Sequence, residues 1–141
     1  AHGPRHPALI NVSTMLASVE RMRGEIEESL ARLHEVDRFC DEVLPPDHPG
    51  RINTIIELGK TQLAADDRSG AAASGRRALA LLGGEDARPA QVAEARFVLA
   101  RALGPHHADA RALAEQALAR YDSLGAGHAT EAAEIRAWLG P

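Results

Sequence analysis

Apolar positions in this chain recur every three or four residues, in blocks of about 12–20. Polar breaks carrying Gly or Pro separate them: Arg23-Gly24, LPPDHPG (44–50), DDRSG (66–70), LGGEDARP (82–89), GPHHAD (104–109) and GAGH (125–128). Such spacing predicts seven helices. The first covers 7–22, with Leu9, Val12, Leu16 and Val19 on its apolar face. The second covers 25–44, with Ile26, Leu30, Leu33, Val36 and Val43. The third covers 49–65, with Ile52, Ile55, Leu58 and Leu63. The fourth covers 69–82, and the fifth starts at Pro89 with Val92, Phe97, Leu99 and Leu103. The sixth covers 109–124, and the last, 129–139, carries Ile135, Trp138 and Leu139. Proline opens the first, third and fifth, where its missing N–H has no intrahelical partner to lose. No strict polar–apolar alternation points to strands.

The helices repeat in pairs. HPALIN (6–11) returns as HPGRIN (48–53), an offset of 42 residues that also lays Leu16 on Leu58 and Ala17 on Gly59. A shift of about 41 lays Leu58-Gly59 on Leu99-Ala100, and one of 39 lays Ala78-Leu79 on Ala117-Leu118. A helix pair cannot bury its apolar face alone, whereas stacked pairs can. The predicted architecture is all-α: three antiparallel pairs (7–47, 48–88, 89–127) in a right-handed superhelical stack. A capping helix (128–141) closes it, and residues 1–6 form a flexible tail. The shared HP is a helix start, with its histidine near the N-cap.

At these residues the chain resembles the tetratricopeptide repeat (TPR) family, in particular the 42-residue kind of kinesin light chains and bacterial multi-repeat proteins. The family pattern sets a large residue, then Leu-Gly/Ala, then small residues 12 and 19 positions after the Gly/Ala. Unit two supplies Ile55, Leu58-Gly59, Ala71 and Ala78, so that Gly59 is expected to face both alanines. Unit three supplies Leu99-Ala100, Ala110 and Ala117, with Arg96 at the large position. Unit one, with Ser13, Leu16-Ala17, Ser29 and Val36, is degenerate. The third unit and cap also look like terminal repeats attached to bacterial serine/threonine kinases. That likeness is one of architecture, since no Gly-rich loop, VAIK, HRD or DFG motif occurs.

Composition narrows the function. The net charge of −4, with 16 basic and 20 acidic residues interspersed, gives no basic stripe for nucleic acid or an anionic membrane. No apolar run reaches the roughly 18–20 residues that span a bilayer. The single Cys40 excludes an internal disulfide and points to the reducing cytoplasm. The Ala/Arg/Gly bias suggests a bacterial source. Ala1 in place of an initiating Met points to a processed chain or a piece of a longer protein.

Chemistry has little foothold. Adjacent histidines such as His106-His107 rarely converge on one metal, so they and Asp109 read as a solvated turn, with Asp109 near a helix N-cap. Asp37, Asp41 and Glu42 lie close to Cys40 in sequence, disfavour its thiolate, and leave a half-buried structural thiol. No catalytic residue, metal or cofactor is expected. Trp138 reads as a core plug.

The resemblance implies binding on the concave face lined by the first helix of each pair. Carried over, its positions are Asn11, Thr14, Ser18 and Arg21, then Asn53, Ile56, Glu57 and Lys60, then Glu94, Phe97, Val98 and Arg101. Asn side chains can bond a peptide backbone, and Lys60 and Arg101 can receive carboxylates. Ile56 and Phe97 are either exposed anchors or packing between pairs. Asn11 and Asn53 either face the groove or bond their own backbone. Ile56 and Glu57 stand where the family's carboxylate clamp needs Lys and Asn, which argues against a chaperone-tail binder. The expected role is a non-catalytic interaction module for a protein or peptide. The alternative is a regulatory or self-association segment, including a homodimer, of a larger bacterial signalling protein such as a kinase.

Overall fold

Seven α-helices follow one another along residues 7–83 and 88–141, the part of the chain that the computed structural model describes. They are α1 (Leu9–Met22), α2 (Ile26–Val43), α3 (Pro49–Ala64), α4 (Arg68–Leu82), α5 (Pro89–Leu103), α6 (Ala108–Leu124) and α7 (Ala129–Leu139), with a 3₁₀ turn, Ala126–His128, before α7. No strand occurs among the described residues. The tail expected at 1–6, with His2 and His6, lies outside them, as do residues 84–87.

Local chemistry sets the helix starts. Pro49 and Pro89 occupy the first turns of α3 and α5. The Gly50 N–H donates to His48 Nδ1 at 3.0 Å, so the histidine of HPGRIN is a side-chain cap. His107 does the same for α6, accepting from the Asp109 N–H at 3.1 Å; Asp109 falls inside the first turn instead of capping it. Asp67 caps α4 through the Gly70 N–H at 2.9 Å. α1 starts two residues later than predicted, because Pro7 stays in a turn whose carbonyl accepts from the Ile10 N–H.

Successive helices pack side by side, and α1–α3–α5 also touch one another across the pairs. The first helices therefore line the inner side of the stack. Close approach depends on small residues at the crossings. In unit one Ser29 Oγ donates to the Ala17 carbonyl at 2.8 Å, and both residues are fully buried. In unit two a Cβ on Gly59 would lie 2.8 Å from Val98 Cγ1 and 3.3 Å from Ser74 Cβ, with the Ala71 carbonyl at 3.8 Å. Gly59 thus faces Ala71 as expected, but Ser74 and Val98 in place of Ala78, which packs with Ile52, Ile55 and Ile56. Unit three crosses on Ala100, Ala110, Ala114 and Ala117, closed at its end by Tyr121, Ile135 and the edge of Trp138. Cys40 is fully buried beside Ile10 and Val36, deeper than expected. Burial, then the nearby Asp37 carboxylate, pushes its thiol pKa up.

The predicted apolar face of α1 is not its buried face. Leu9, Val12, Leu16 and Val19 are 44–51% exposed, while Ile10, Thr14 and Ala17 are buried. Only the narrow side carrying small residues can approach α2 and α3.

Candidate functional site

The inner side is held together by a ladder of alternating charge. Arg21 on α1 donates to Glu57 on α3 at 2.8 Å and to Thr61 Oγ1 at 3.2 Å. Ser18 Oγ donates to the same Glu57 carboxylate at 2.8 Å. One turn on, Lys60 pairs with Glu57 at 3.3 Å and with Glu94 on α5. Burial works against the Glu57 charge, but Lys60 and Arg21, with the Arg21 and Ser18 hydrogen bonds, outweigh it and hold the carboxyl pKa below its ordinary value. Burial likewise opposes the Lys60 charge, and Glu94 and Glu57 overcome it and raise the ammonium pKa. Lys60 and Arg21 are therefore already neutralised. The expectation that Lys60 receives a partner's carboxylate does not fit this pairing.

Beside the ladder lies a cavity of about 410 Å³. Six of the twelve residues predicted for the groove line it: Arg21, Lys60, Glu94, Phe97, Val98 and Arg101. Phe97 stacks edge-on against Trp138, with ring centroids 5.9 Å apart, and carries the Arg101 guanidinium 5.6 Å above its centroid. Phe97 is 9% exposed and belongs to the core of unit three, and the little surface it keeps lines the cavity. Arg101 is exposed, and among the described residues no carboxylate pairs with it.

The other predicted positions separate. Thr14 and Ile56 are not in the groove. Thr14 is buried in the seam between the first two units, its hydroxyl donating to the Ile10 carbonyl at 2.8 Å and lying 2.9 Å from Thr54 Oγ1. Ile56 is buried among Ile52, Ile55, Ala78, Ala95 and Val98, because α3 is covered by α1, α2, α4 and α5 together. Ser18 and Glu57 face inward but serve the ladder. Asn11 is exposed, with its Oδ1 beside Gly50 and outside the cavity lining, and Asn53 is half-buried.

Residues outside the predicted set complete the cavity: Met22 and Ala64 at the ends of α1 and α3, Tyr121 on α6, and Glu131 and Glu134 on α7. Burial first, then the Glu94, Glu131 and Glu134 carboxylates, pushes the Tyr121 phenol pKa well up, so it stays protonated and able to donate. Glu131 is held below its ordinary value by a backbone N–H and then by His128, 3.2 Å away. Nothing here forms a nucleophile–base pair, and among the described residues no group of three or more His, Cys, Asp or Glu could hold a metal.

Two solved structures share this fold. Both are of "Podosopora anserina putative kinesin light chain nearly identical TPR-like repeats", the second of them a variant form. Each superposes with a TM-score of 0.80 at 20% sequence identity, covering 96% of this chain and 66% of its own. The fold is a TPR-like helical repeat. This TPR-like stack spans 66% of the length of those chains. No family model matches it, and no curated protein matches it in sequence.

Proposed function

We propose that the chain is a non-catalytic protein-interaction module whose concave cavity takes a segment of a partner protein. The supporting observation is the cavity between α1, α3, α5, α6 and α7. It has an apolar wall of Phe97, Val98 and Met22, a cation, Arg101, with which no carboxylate pairs among the described residues, and two carboxylates, Glu131 and Glu134, on the capping helix. A peptide suits it when an apolar side chain fills the space and an acidic group follows to meet Arg101. Glu131 and Glu134 would select against an acidic residue placed beside them. Nothing in this surface favours nucleic acid, since the basic residues Arg21 and Lys60 are paired with carboxylates. Among the described residues no helix is long and apolar enough to cross a membrane. A cytoplasmic setting belongs to the same proposal and rests on the single, buried thiol.

Screening a displayed random-peptide library tests the reading. Enriched sequences are expected to share an apolar residue followed by Asp or Glu. Ala64→Arg, on an exposed rim, and Arg101→Glu are expected to weaken the best peptide at least tenfold with unchanged circular dichroism. Undiminished binding by both variants would remove the cavity from consideration. Lys60→Glu is unsuitable, because it sets a third carboxylate against Glu57 and Glu94.

A further inference from the structure

The exposed side of α1 carries six large apolar residues: Leu9, Val12, Met15, Leu16, Val19 and Met22. Isolated exposed hydrophobics mean little, but these form one stripe about 20 Å long on a helix of 1.5 Å rise. Fractional exposures of 44–75% on side chains of this size amount to roughly 600 Å² of apolar surface, the upper end of what a monomer shows.

The repeat supplies an internal control. Leu9, Val12, Leu16 and Val19 correspond to Arg51, Thr54, Leu58 and Thr61 in unit two, and to Val92, Ala95, Leu99 and Ala102 in unit three. All eight counterparts are buried under the preceding helix pair. The contact there is close and uses small residues: Thr54 meets Thr14 at 2.9 Å, Thr61 meets Ser29 at 3.2 Å, and α5 has Ala95 and Ala102 at the same places. On α1 those two places hold Val12 and Val19. Met15 stands where unit two has the ladder residue Glu57. The α1 face thus carries bulkier apolar side chains at these places than the faces on which pairs stack in this fold.

Two features fit it to a second copy of this chain. Its apolar positions are symmetric about the point between Met15 and Leu16. An antiparallel helix turned about that point sets Leu9 opposite Met22, Val12 opposite Val19 and Met15 opposite Leu16. A two-fold interface needs this self-complementarity, because each contact occurs twice. Residues 9–19 also carry no charge. The two charges that follow are engaged elsewhere, Glu20 by Arg32 and Arg21 by Glu57. Self-apposition therefore sets no like charges together. Two stripes would remove on the order of 1,200 Å² from water, the lower end of a standard specific interface. We infer that α1 is a homodimer surface, paired antiparallel across Met15 and Leu16. This does not rest on the groove reading, with which it shares Met22 alone.

Sedimentation velocity across a concentration series of the full chain is expected to show a monomer–dimer equilibrium. Val12→Glu with Leu16→Glu, both at exposed positions, should give a monomer with unchanged circular dichroism. Mixed Val12→Cys and Val19→Cys chains should cross-link to each other in preference to themselves; Cys40, the only native thiol, is buried and does not compete. A wild type monomeric at every concentration overturns the proposal, leaving the stripe to a different partner. So does a dimer that survives the double Glu variant. Cross-linking of Val12→Cys to itself would overturn the antiparallel register.

Discussion

The two ends of this stack solve one packing problem with different chemistry. The seam between units one and two is polar: paired hydroxyls at Thr14–Thr54 and Ser29–Thr61, the Arg21–Glu57 bridge, and on the outer side Arg77 gripping Asp37 at 2.8 and 3.0 Å. The end formed by unit three and the cap is alanine, aromatic and aliphatic, with Phe97, Tyr121, Ile135 and Trp138 at its centre. Both admit close helix contact. They differ in what disturbs them. An apolar seam responds to lost volume, and a polar seam responds to lost partners and to pH. In a linear array each disturbance stays largely with its neighbours.

Ile135→Ala is the harshest test of the difference. Ile135 is fully buried where α7 closes on unit three. Truncation is expected to cost about 3 kcal/mol, from lost transfer energy plus an unfilled cavity. Hydrogen exchange should show α6 and α7 losing protection while α1–α3 keep theirs. Uniform loss along the chain would mean that the two ends are not separable in this way.

Glu57→Gln probes the polar end and its inner ladder. The change leaves Lys60 and Arg21 without their shared carboxylate, at an expected cost of about 2 kcal/mol at neutral pH. The pH dependence carries a definite sign. The folded pKa of Glu57 lies below its ordinary value, so its stabilisation is complete above the ordinary carboxylate range and is lost as the pH falls through the lowered value. Chemical denaturation repeated at pH 7 and below about pH 4 should therefore show the wild-type advantage over Glu57→Gln shrinking with acid. An advantage that does not change with pH would assign the loss to packing instead of charge.

The sequence made the helices legible more readily than their faces. Prolines, glycines and an apolar period of three to four marked all seven helices, since these signals are local. The repeat register marked Ala17, Gly59 and Ala100 as crossing points. The faces depend on what lies across from them. Leu9, Val12, Leu16 and Val19 look like a core face, but α1 turns Ile10, Thr14 and Ala17 inward, with small residues where α3 and α2 come closest at Thr14 and Ala17. Thr14 is hidden without penalty because its hydroxyl is bonded at both ends of its reach. Ile56 is buried because a middle helix is surrounded by four others, a fact no single window records. The groove was half legible. Its first-helix residues followed the repeat, whereas Tyr121, Glu131 and Glu134 come from α6 and α7, outside that periodicity. The pairing of Lys60 is not legible in the sequence because Glu94, one of its two carboxylate partners, lies 34 residues away.

The finest test concerns the pair Thr14–Thr54. Three contacts are within reach: Thr14 to the Ile10 carbonyl at 2.8 Å, Thr54 to the Gly50 carbonyl at 3.0 Å, and one hydroxyl to the other at 2.9 Å. Two hydroxyls hold two hydrogens, so only two of the three bonds form at once. Thr→Val at either site keeps the volume and leaves the surviving hydroxyl free to bond its own helix. Each single change should thus cost only about 1 kcal/mol, and a double-mutant cycle should show coupling of about 0.5 kcal/mol. A double Thr→Val variant more stable than the wild type would invert the comparison between the two ends. The polar seam would then be a cost that the stack tolerates, and the hydroxyls would fix the register of units one and two without strengthening their contact.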